Sequence, residues 1–86
     1  MKKFEKILKA LGNANRLKIV QFLKKKGIVS VYEISSNTKC SYKATSKHLS
    51  ILLRVDIVDR EQKMFEGHYK LSSDMDALAK IIIEQL

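Results

Sequence analysis

Apolar residues recur at helical spacing through the first part of the chain. Four of them fall at positions i, i+3, i+4 and i+7 of one segment: Phe4, Ile7, Leu8 and Leu11. This spacing predicts an amphipathic first helix, which Gly12 ends. Asn13 is a good N-cap for a second helix over residues 14–25, because its side-chain oxygen can accept a backbone N–H of the first turn. Gly27 ends this second helix.

The middle of the chain predicts two short helices joined by a tight turn. Ser30 and Glu33 have the S-x-x-E spacing of a capping box, which starts a third helix of about two turns. After the turn at residues 38–40, Ser41 takes the N-cap position of a fourth helix that runs to Leu53. Two short helices joined in this way form a helix-turn-helix in outline.

The period changes from helical to alternating after the fourth helix. Residues 57–62 and 66–71 predict two strands joined by a bend at residues 63–65. A hairpin that follows a helix-turn-helix is called a wing. A last helix is predicted over residues 74–84, with Ser73 as its N-cap.

The predicted fold class is mainly α with a small β-hairpin (α+β), in the order α-α-α-α-β-β-α. This is a winged helix-turn-helix, forming one domain over residues 1–86. The last helix is apolar on more sides than so small a core can cover, since Ile81 and Ile83 widen its stripe. We therefore expect a homodimer that forms through the first and last helices. The predicted interface residues are Phe4, Ile7, Leu8, Leu11, Met75, Leu78, Ala79, Ile82 and Leu86.

Charge is distributed unevenly along the chain, whose net charge is +8. Residues 1–54 hold 13 lysines and arginines against 2 acidic residues, whereas residues 55–86 hold 4 against 7. This asymmetry favours a polyanionic partner, with nucleic acid first and an anionic membrane surface second. No apolar run is long enough for a transmembrane helix. The single cysteine excludes an internal disulfide and indicates a reducing, cytoplasmic setting.

The polar side of the predicted fourth helix suits contact with double-stranded DNA. Its hydroxyl and ammonium groups can donate to phosphates and base edges, and no carboxylate lies among them. They belong to Tyr42, Lys43, Thr45, Ser46, Lys47 and Ser50. An ordinary solvated helix has the same pattern, but the basic N-terminal half of the chain favours DNA. Arg54 on the helix, and Arg60 and Lys63 on the hairpin, are further candidates for phosphate contact, although acidic residues interleave with the hairpin cations.

The order of these elements, and several local motifs, resemble the ArsR-type (arsenic-repressor-like) winged-helix transcriptional regulators. The matching segments are LGNANRLKIVQFL (11–23), VYEIS (31–35), SYKATSKHLSIL (41–52), IV (57–58) and GHYKL (67–71). The resemblance implies a homodimer that places residues Ser41 to His48 in the DNA major groove. It also implies a repressor of promoters that carry a palindromic operator. Ser46, Lys47 and His48 match the positions with which this family reads bases.

The chain departs from this family at the positions that bind metals in many of its members. The cysteine pair at the start of the third helix is replaced by Ser30 and Tyr32, whose hydroxyls are poor ligands for thiophilic ions. In the last helix, Asp74 and Asp76 are present, but no histidine follows to complete a zinc site. We therefore expect no metal and no cofactor, and an inducer, if one exists, is unknown.

Two glycines that often form turns in this family are also replaced. Lys39 stands in the helix-turn-helix turn, and Asp56 stands in the turn before the first strand. Both are expected to adopt positive φ, which is less favourable for lysine than for aspartate.

Three residues have more than one role compatible with the sequence. Arg16 suits either a phosphate or an internal carboxylate. Cys40 suits a small buried hydrophobic position, or a thiol switch if its sulfur is exposed. His48 suits a base contact, a packing position bonded to a backbone carbonyl, or a proton switch.

No catalytic motif is present, since the chain lacks a glycine-rich phosphate loop and the Ser/Cys-His-Asp spacing of a nucleophilic enzyme. We therefore expect a protein that is not an enzyme. The alternative to a DNA-binding regulator is a winged helix used as a protein-interaction module, with nonspecific affinity for nucleic acid.

Overall fold

The computed structural model describes all residues 1–86 and contains five helices and three strands. Their bounds are α1 Lys2–Leu11, α2 Ala14–Lys26, β1 Val29–Ser30, α3 Val31–Thr38, α4 Tyr42–Arg54, β2 Val58–Lys63, β3 Glu66–Leu71 and α5 Ala77–Glu84. The predicted order of helices and hairpin is confirmed. The structure adds the short strand β1, which pairs antiparallel with β3 and completes a sheet in the order β1-β3-β2.

Side-chain caps begin three of the helices where the sequence predicts them. Asn13, Ser30 and Ser41 each accept a hydrogen bond from the backbone N–H three residues later, at 3.1, 3.2 and 3.1 Å respectively. Each such cap stabilises its helix by about 1 kcal/mol. The Ser41 cap lies in the turn between α3 and α4 and thereby fixes the residue at which α4 begins.

The two predicted turn residues adopt the left-handed conformation, as expected. Lys39 ends α3 with φ 57° and Asp56 follows α4 with φ 57°. At Asp56 the backbone N–H donates to the carbonyl of Leu53 at 3.1 Å. A left-handed backbone is unfavourable for residues with a Cβ, so both turns store strain.

The wing is tighter at its tip than the sequence predicts. Lys63 pairs with Glu66, so the turn between the strands holds two residues, Met64 and Phe65, rather than three. Met64 has φ 57°, and a positive φ at this first central position is typical of a type II′ turn. β2 is therefore shifted by one residue relative to the prediction, to Val58–Lys63, whereas β3 has the predicted bounds; a two-residue turn matches the twist of a hairpin.

One hydrophobic core lies where α2, α3 and α4 meet the sheet. Its most enclosed apolar side chains, each less than 2 % exposed, are Ile19, Val20, Leu23, Ile34, Leu49, Leu52, Ile57 and Val58. Burial of each larger aliphatic side chain is worth about 1.5–3 kcal/mol relative to exposure. The inner face of α4 is therefore anchored, which leaves its opposite face for other contacts.

The last helix begins later than predicted. Its N-cap is Asp76, not Ser73, and the Asp76 carboxylate accepts a hydrogen bond from the Leu78 N–H at 2.9 Å. Lys3 of α1 pairs with the same carboxylate at 3.1 Å. The Leu78 N–H and Lys3 together hold the pKa of Asp76 below its usual value. A carboxylate with two donors is a stronger cap than an exposed serine hydroxyl, which accounts for the shift.

Four residues predicted for the dimer interface belong instead to the core of the protomer. Ile7, Leu11, Met75 and Ala79 are 2, 4, 8 and 0 % exposed. Ile7, Leu11 and Ala79 lie on the inward sides of α1 and α5, where these helices pack on α2 and on each other, and Met75 is buried in the segment just before α5. An apolar stripe in sequence does not distinguish the inward side of a helix from an outward one, and these four predictions are therefore wrong.

Candidate nucleic-acid interface

The first two turns of α4 present the polar groups that the sequence assigns to DNA. Ser41 caps the helix, and Tyr42, Lys43 and Lys47 are exposed around it, while Ser46 is half-buried. No acidic residue lies anywhere in α4. The exposed surface of these turns is consequently cationic and rich in hydrogen-bond donors, as contact with phosphates and base edges requires.

Thr45 does not belong to this exposed face. Its side chain is 0 % exposed, and its Oγ1 is buried without a hydrogen-bond partner. Thr45, Leu49 and Leu52 fall at i, i+4 and i+7, and all three point into the core. The assignment of Thr45 to the DNA-contacting side is therefore wrong, because its methyl group follows the apolar stripe of the helix.

An aromatic pair connects the start of α4 to the start of α3. The rings of Tyr32 and Tyr42 lie 5.0 Å apart between centroids and are tilted by 40°. Both rings remain at least half exposed, at 59 and 50 %. Tyr42 is therefore held by Tyr32, which stands at one position of the missing cysteine pair. Such a pair is worth about 0.5–1.5 kcal/mol and fixes one edge of the exposed face.

Arg16 of α2 makes contacts that the sequence did not predict. Its Nε donates to the Ala10 carbonyl at 2.6 Å, and its Nη2 donates to the Lys9 carbonyl at 3.2 Å. Its Nη1 lies 3.1 Å from Nδ1 of His48 on α4. Of the two partners that the sequence suggested, the internal carboxylate is absent, because Arg16 contacts two backbone carbonyls and an imidazole instead.

His48 is half-buried beside that guanidinium. Burial lowers the pKa of His48 below 6.5, and the positive charges of Arg16 and Lys47 lower it further. The imidazole is therefore neutral near pH 7. It is bonded to a side chain on another helix rather than to a backbone carbonyl.

The wing carries cations, but one carboxylate offsets two of them. Glu61 lies 3.2 Å from Lys70 and 3.9 Å from Lys63. Arg60 has no carboxylate partner, and its Nη2 donates to Gln62 at 2.7 Å. Gly67 on the opposite strand leaves room for it, because a Cβ there would lie 3.0 Å from Nε and Nη2 of Arg60. Arg60 is consequently the basic residue of the wing whose charge no carboxylate offsets.

Arg54 lies apart from the other predicted contact residues. It ends α4, so it is about 18 Å along the helix axis from Tyr42. There it lines an open hollow of about 430 Å³ together with Lys6, Lys9 and Arg16. The structure therefore groups Arg54 with cations of α1 and α2 rather than with the start of α4.

Cys40 sits half-buried in the turn between α3 and α4, with its Sγ 3.8 Å from the Thr38 carbonyl. Nowhere in residues 1–86 do three histidine, cysteine or acidic side chains come together as a metal site would need. The Ser30 hydroxyl, at one position of the missing cysteine pair, is used as the cap of α3. No helix is both long enough and apolar enough to cross a membrane.

Comparison with known proteins gives a family match over the helix-turn-helix and the start of the wing. Residues 13–60 match the family described as bacterial regulatory protein, arsR family. The structure is similar to HlyU from Vibrio cholerae, with 33 % identity, a TM-score of 0.83, and coverage of 98 % of this chain and 87 % of that chain.

Two further solved structures have the same fold. The transcriptional repressor PagR of Bacillus anthracis is 25 % identical, with a TM-score of 0.78 and coverage of 98 % of this chain and 92 % of that one. A homodimeric winged helix-turn-helix DNA-binding domain from Mycobacterium bovis is 20 % identical, with a TM-score of 0.83 and coverage of 98 % and 74 %.

Proposed function

The chain belongs to the arsR family of bacterial regulatory proteins, whose members regulate transcription, and from this premise we propose that it is a homodimeric repressor. In this proposal the dimer binds a palindromic operator in double-stranded DNA and blocks the promoter that contains it. The N-terminal half of α4 enters the major groove of each half-site, and the wing contacts the flanking backbone.

The acid-free, exposed start of α4 is the observation that carries this proposal. Lys43 and Lys47 supply positive charge, and the hydroxyls of Ser41 and Ser46 supply donors and acceptors beside them. The aromatic ring of Tyr42 borders the same surface, where it can contact a sugar or a thymine methyl group. Cations position a protein on the phosphates, whereas polar side chains distinguish base edges, and this surface offers both.

The proposed dimer is supported by an exposed apolar face that α1 and α5 share. We call the side chains of Phe4, Leu8, Leu78 and Ile81 the α1/α5 face; they line one shallow hollow. Phe4, Leu8 and Ile81 are 46, 53 and 59 % exposed. Contiguous large apolar side chains on one surface are typical of a protein interface. The Lys3–Asp76 ion pair borders this face, and the Mycobacterium bovis domain of the same fold is a homodimer.

Of the residues predicted from sequence for this interface, Phe4, Leu8 and Leu78 are kept in the proposal. Ile81 joins them because it is the most exposed large apolar residue of α5. Ile82 of α5 and Leu86, two residues after its end, are half-buried against the core, so we assign them to the edge of the interface.

A two-fold dimer places its two α4 helices in successive major grooves, so the operator half-sites are about 34–36 Å apart. A footprint on DNA from upstream of the gene tests this arrangement. We expect two protected segments about one helical turn apart, and a fall in transcription from that promoter in a purified system. One protected segment, or protection without any fall in transcription, would contradict the dimeric repressor.

A protein-interaction module is the second candidate function. It is favoured by the wing, whose tip exposes Met64 and Phe65 at 93 and 100 % while Glu61 offsets two of its cations. The two functions differ in their response to salt. Binding to DNA through about six phosphates falls roughly 10³-fold between 50 and 200 mM salt, whereas apolar protein binding falls far less.

A further inference from the structure

One side chain joins three helices at the proposed DNA-contacting surface. Arg16 lies in the first turn of α2, and its guanidinium donates to two backbone carbonyls at the end of α1, those of Lys9 and Ala10. Its remaining nitrogen, Nη1, reaches Nδ1 of His48 on α4 at 3.1 Å. The two bonds to α1 leave the guanidinium little freedom to turn away from His48.

The chemistry of this contact determines where the His48 proton lies. A guanidinium only donates hydrogen bonds, so Nδ1 of His48 must be the acceptor. A neutral imidazole that accepts at Nδ1 carries its proton on Nε2. Nε2 has no partner in the protein and is not among the enclosed polar atoms, so it reaches solvent.

We propose that Arg16 is a positioning residue that holds His48 as the Nε2–H tautomer, so that His48 presents a hydrogen-bond donor to DNA, a role that rests on the DNA-binding function proposed above. The acceptors it fits are O6 and N7 of guanine, N7 of adenine, O4 of thymine, and phosphate oxygens. It does not fit the amino group of cytosine, which is itself a donor.

The surroundings of His48 support this assignment. A protonated imidazole would direct an Nδ1–H at the donors of Arg16, which is repulsive. Burial and the charges of Arg16 and Lys47 accordingly hold the pKa of His48 below its ordinary value. The outward donor is thus present as a neutral group, whose hydrogen bond depends on the tautomer rather than on charge.

The first test is made on the free protein. Long-range proton–nitrogen NMR correlations distinguish the two neutral imidazole tautomers near pH 7. We expect the Nε2–H form for His48 in the wild type, and a mixture of both forms in Arg16→Met, which keeps the length of the side chain but has no donor. A wild-type Nδ1–H form, or an Arg16→Met spectrum identical to wild type, would overturn the proposal. This measurement involves no DNA, so it separates the tautomer from the proposed function.

The second test connects the tautomer to DNA binding. Glutamine at position 48 carries a fixed amide donor near the place of Nε2, and it needs no partner to choose a tautomer. In the wild-type background, Arg16→Met is expected to weaken binding to the footprinted duplex by about 3- to 10-fold per half-site, the effect of one hydrogen bond in each. In a His48→Gln background, Arg16→Met should have an effect below about 2-fold per half-site.

A purely structural role for Arg16, such as holding the end of α1, predicts equal losses in the two backgrounds. Equal losses would therefore overturn the proposal even if the NMR result is as expected. If the wild type prefers no duplex over random DNA, the proposed function fails, whereas the NMR result still decides whether Arg16 fixes the tautomer.

Discussion

The proposed dimer makes a quantitative prediction for Ile81→Asp. Ile81 is 59 % exposed in the protomer and lies on the α1/α5 face. Complete burial of an isoleucine side chain is worth about 1.5–3 kcal/mol, so covering the exposed part contributes roughly 1–2 kcal/mol per protomer. Two copies of Ile81 contribute to a symmetric interface, so the substitution weakens the free energy of dimerisation by roughly 2–4 kcal/mol. The carboxylate adds a desolvation cost to this loss.

The dimer dissociation constant should therefore rise by at least about 30-fold in Ile81→Asp, as measured by sedimentation equilibrium. The matched control is Ile28→Asp, which introduces the same carboxylate at an isoleucine that is 37 % exposed between α2 and β1. Thermal unfolding of both variants checks that the protomer is intact. The interface assignment is refuted if Ile81→Asp dimerises like the wild type, or if Ile28→Asp dissociates to the same extent.

Three further substitutions test other parts of the account. Lys39→Gly should stabilise the protein by about 0.5–1 kcal/mol in urea unfolding, because relief of the positive φ exceeds the extra chain entropy of glycine; a loss of stability would contradict this. Lys47→Ala should reduce the slope of log affinity for DNA against log salt by about 0.9 per protomer, and Lys80→Ala on α5 should not. Asp76→Asn should destabilise the protein near pH 7. The pKa of Asp76 is lowered in the folded state, so the contribution of Asp76 to stability is present above pH 3.8 and disappears as the pH falls below that value. The free energies of unfolding of the wild type and Asp76→Asn, measured in urea, should therefore converge in acid. A difference that stays constant with pH would contradict the assignment.

Local signals predict most of the fold. Asn13, Ser30 and Ser41 are caps in the structure because the bonds they make reach only three residues along the chain. Lys39 and Asp56 adopt positive φ, as expected from the turn glycines that they replace. Features that depend only on residues nearby in the chain, such as these N-caps, can thus be predicted from the sequence alone.

The wrong predictions are of two kinds: the side of a helix on which a residue lies, and which of two residues caps α5. The hydroxyl group of Thr45 suggests the polar face of α4, but Thr45 lies four residues before Leu49 and is buried with it in the core. Asp76 replaces Ser73 as the cap of α5 because Lys3, at the other end of the chain, pairs with its carboxylate. The spacing of Thr45 was thus available in the sequence, whereas the contact between Lys3 and Asp76 depends on the tertiary fold.

The contact between Arg16 and His48 is the clearest case of information that the sequence does not provide. The two residues are 32 positions apart, and each has several ordinary partners. Only the packing of α2 against α4 brings them together and fixes which nitrogen of the imidazole accepts. The role of His48 in the candidate site therefore depends on the fold as much as on its own position in α4.

Sequence-specific binding of DNA by the start of α4 is the central claim, and a competition titration tests it most directly. Duplex from upstream of the gene is titrated with the protein at 50 and 200 mM salt, with shuffled duplex of the same composition as competitor. The affinity for the upstream duplex should exceed the affinity for the shuffled duplex by at least about 10³-fold, and it should fall steeply between 50 and 200 mM salt. Equal affinity for the two duplexes would contradict the claim and leave only nonspecific attraction between a basic protein and DNA.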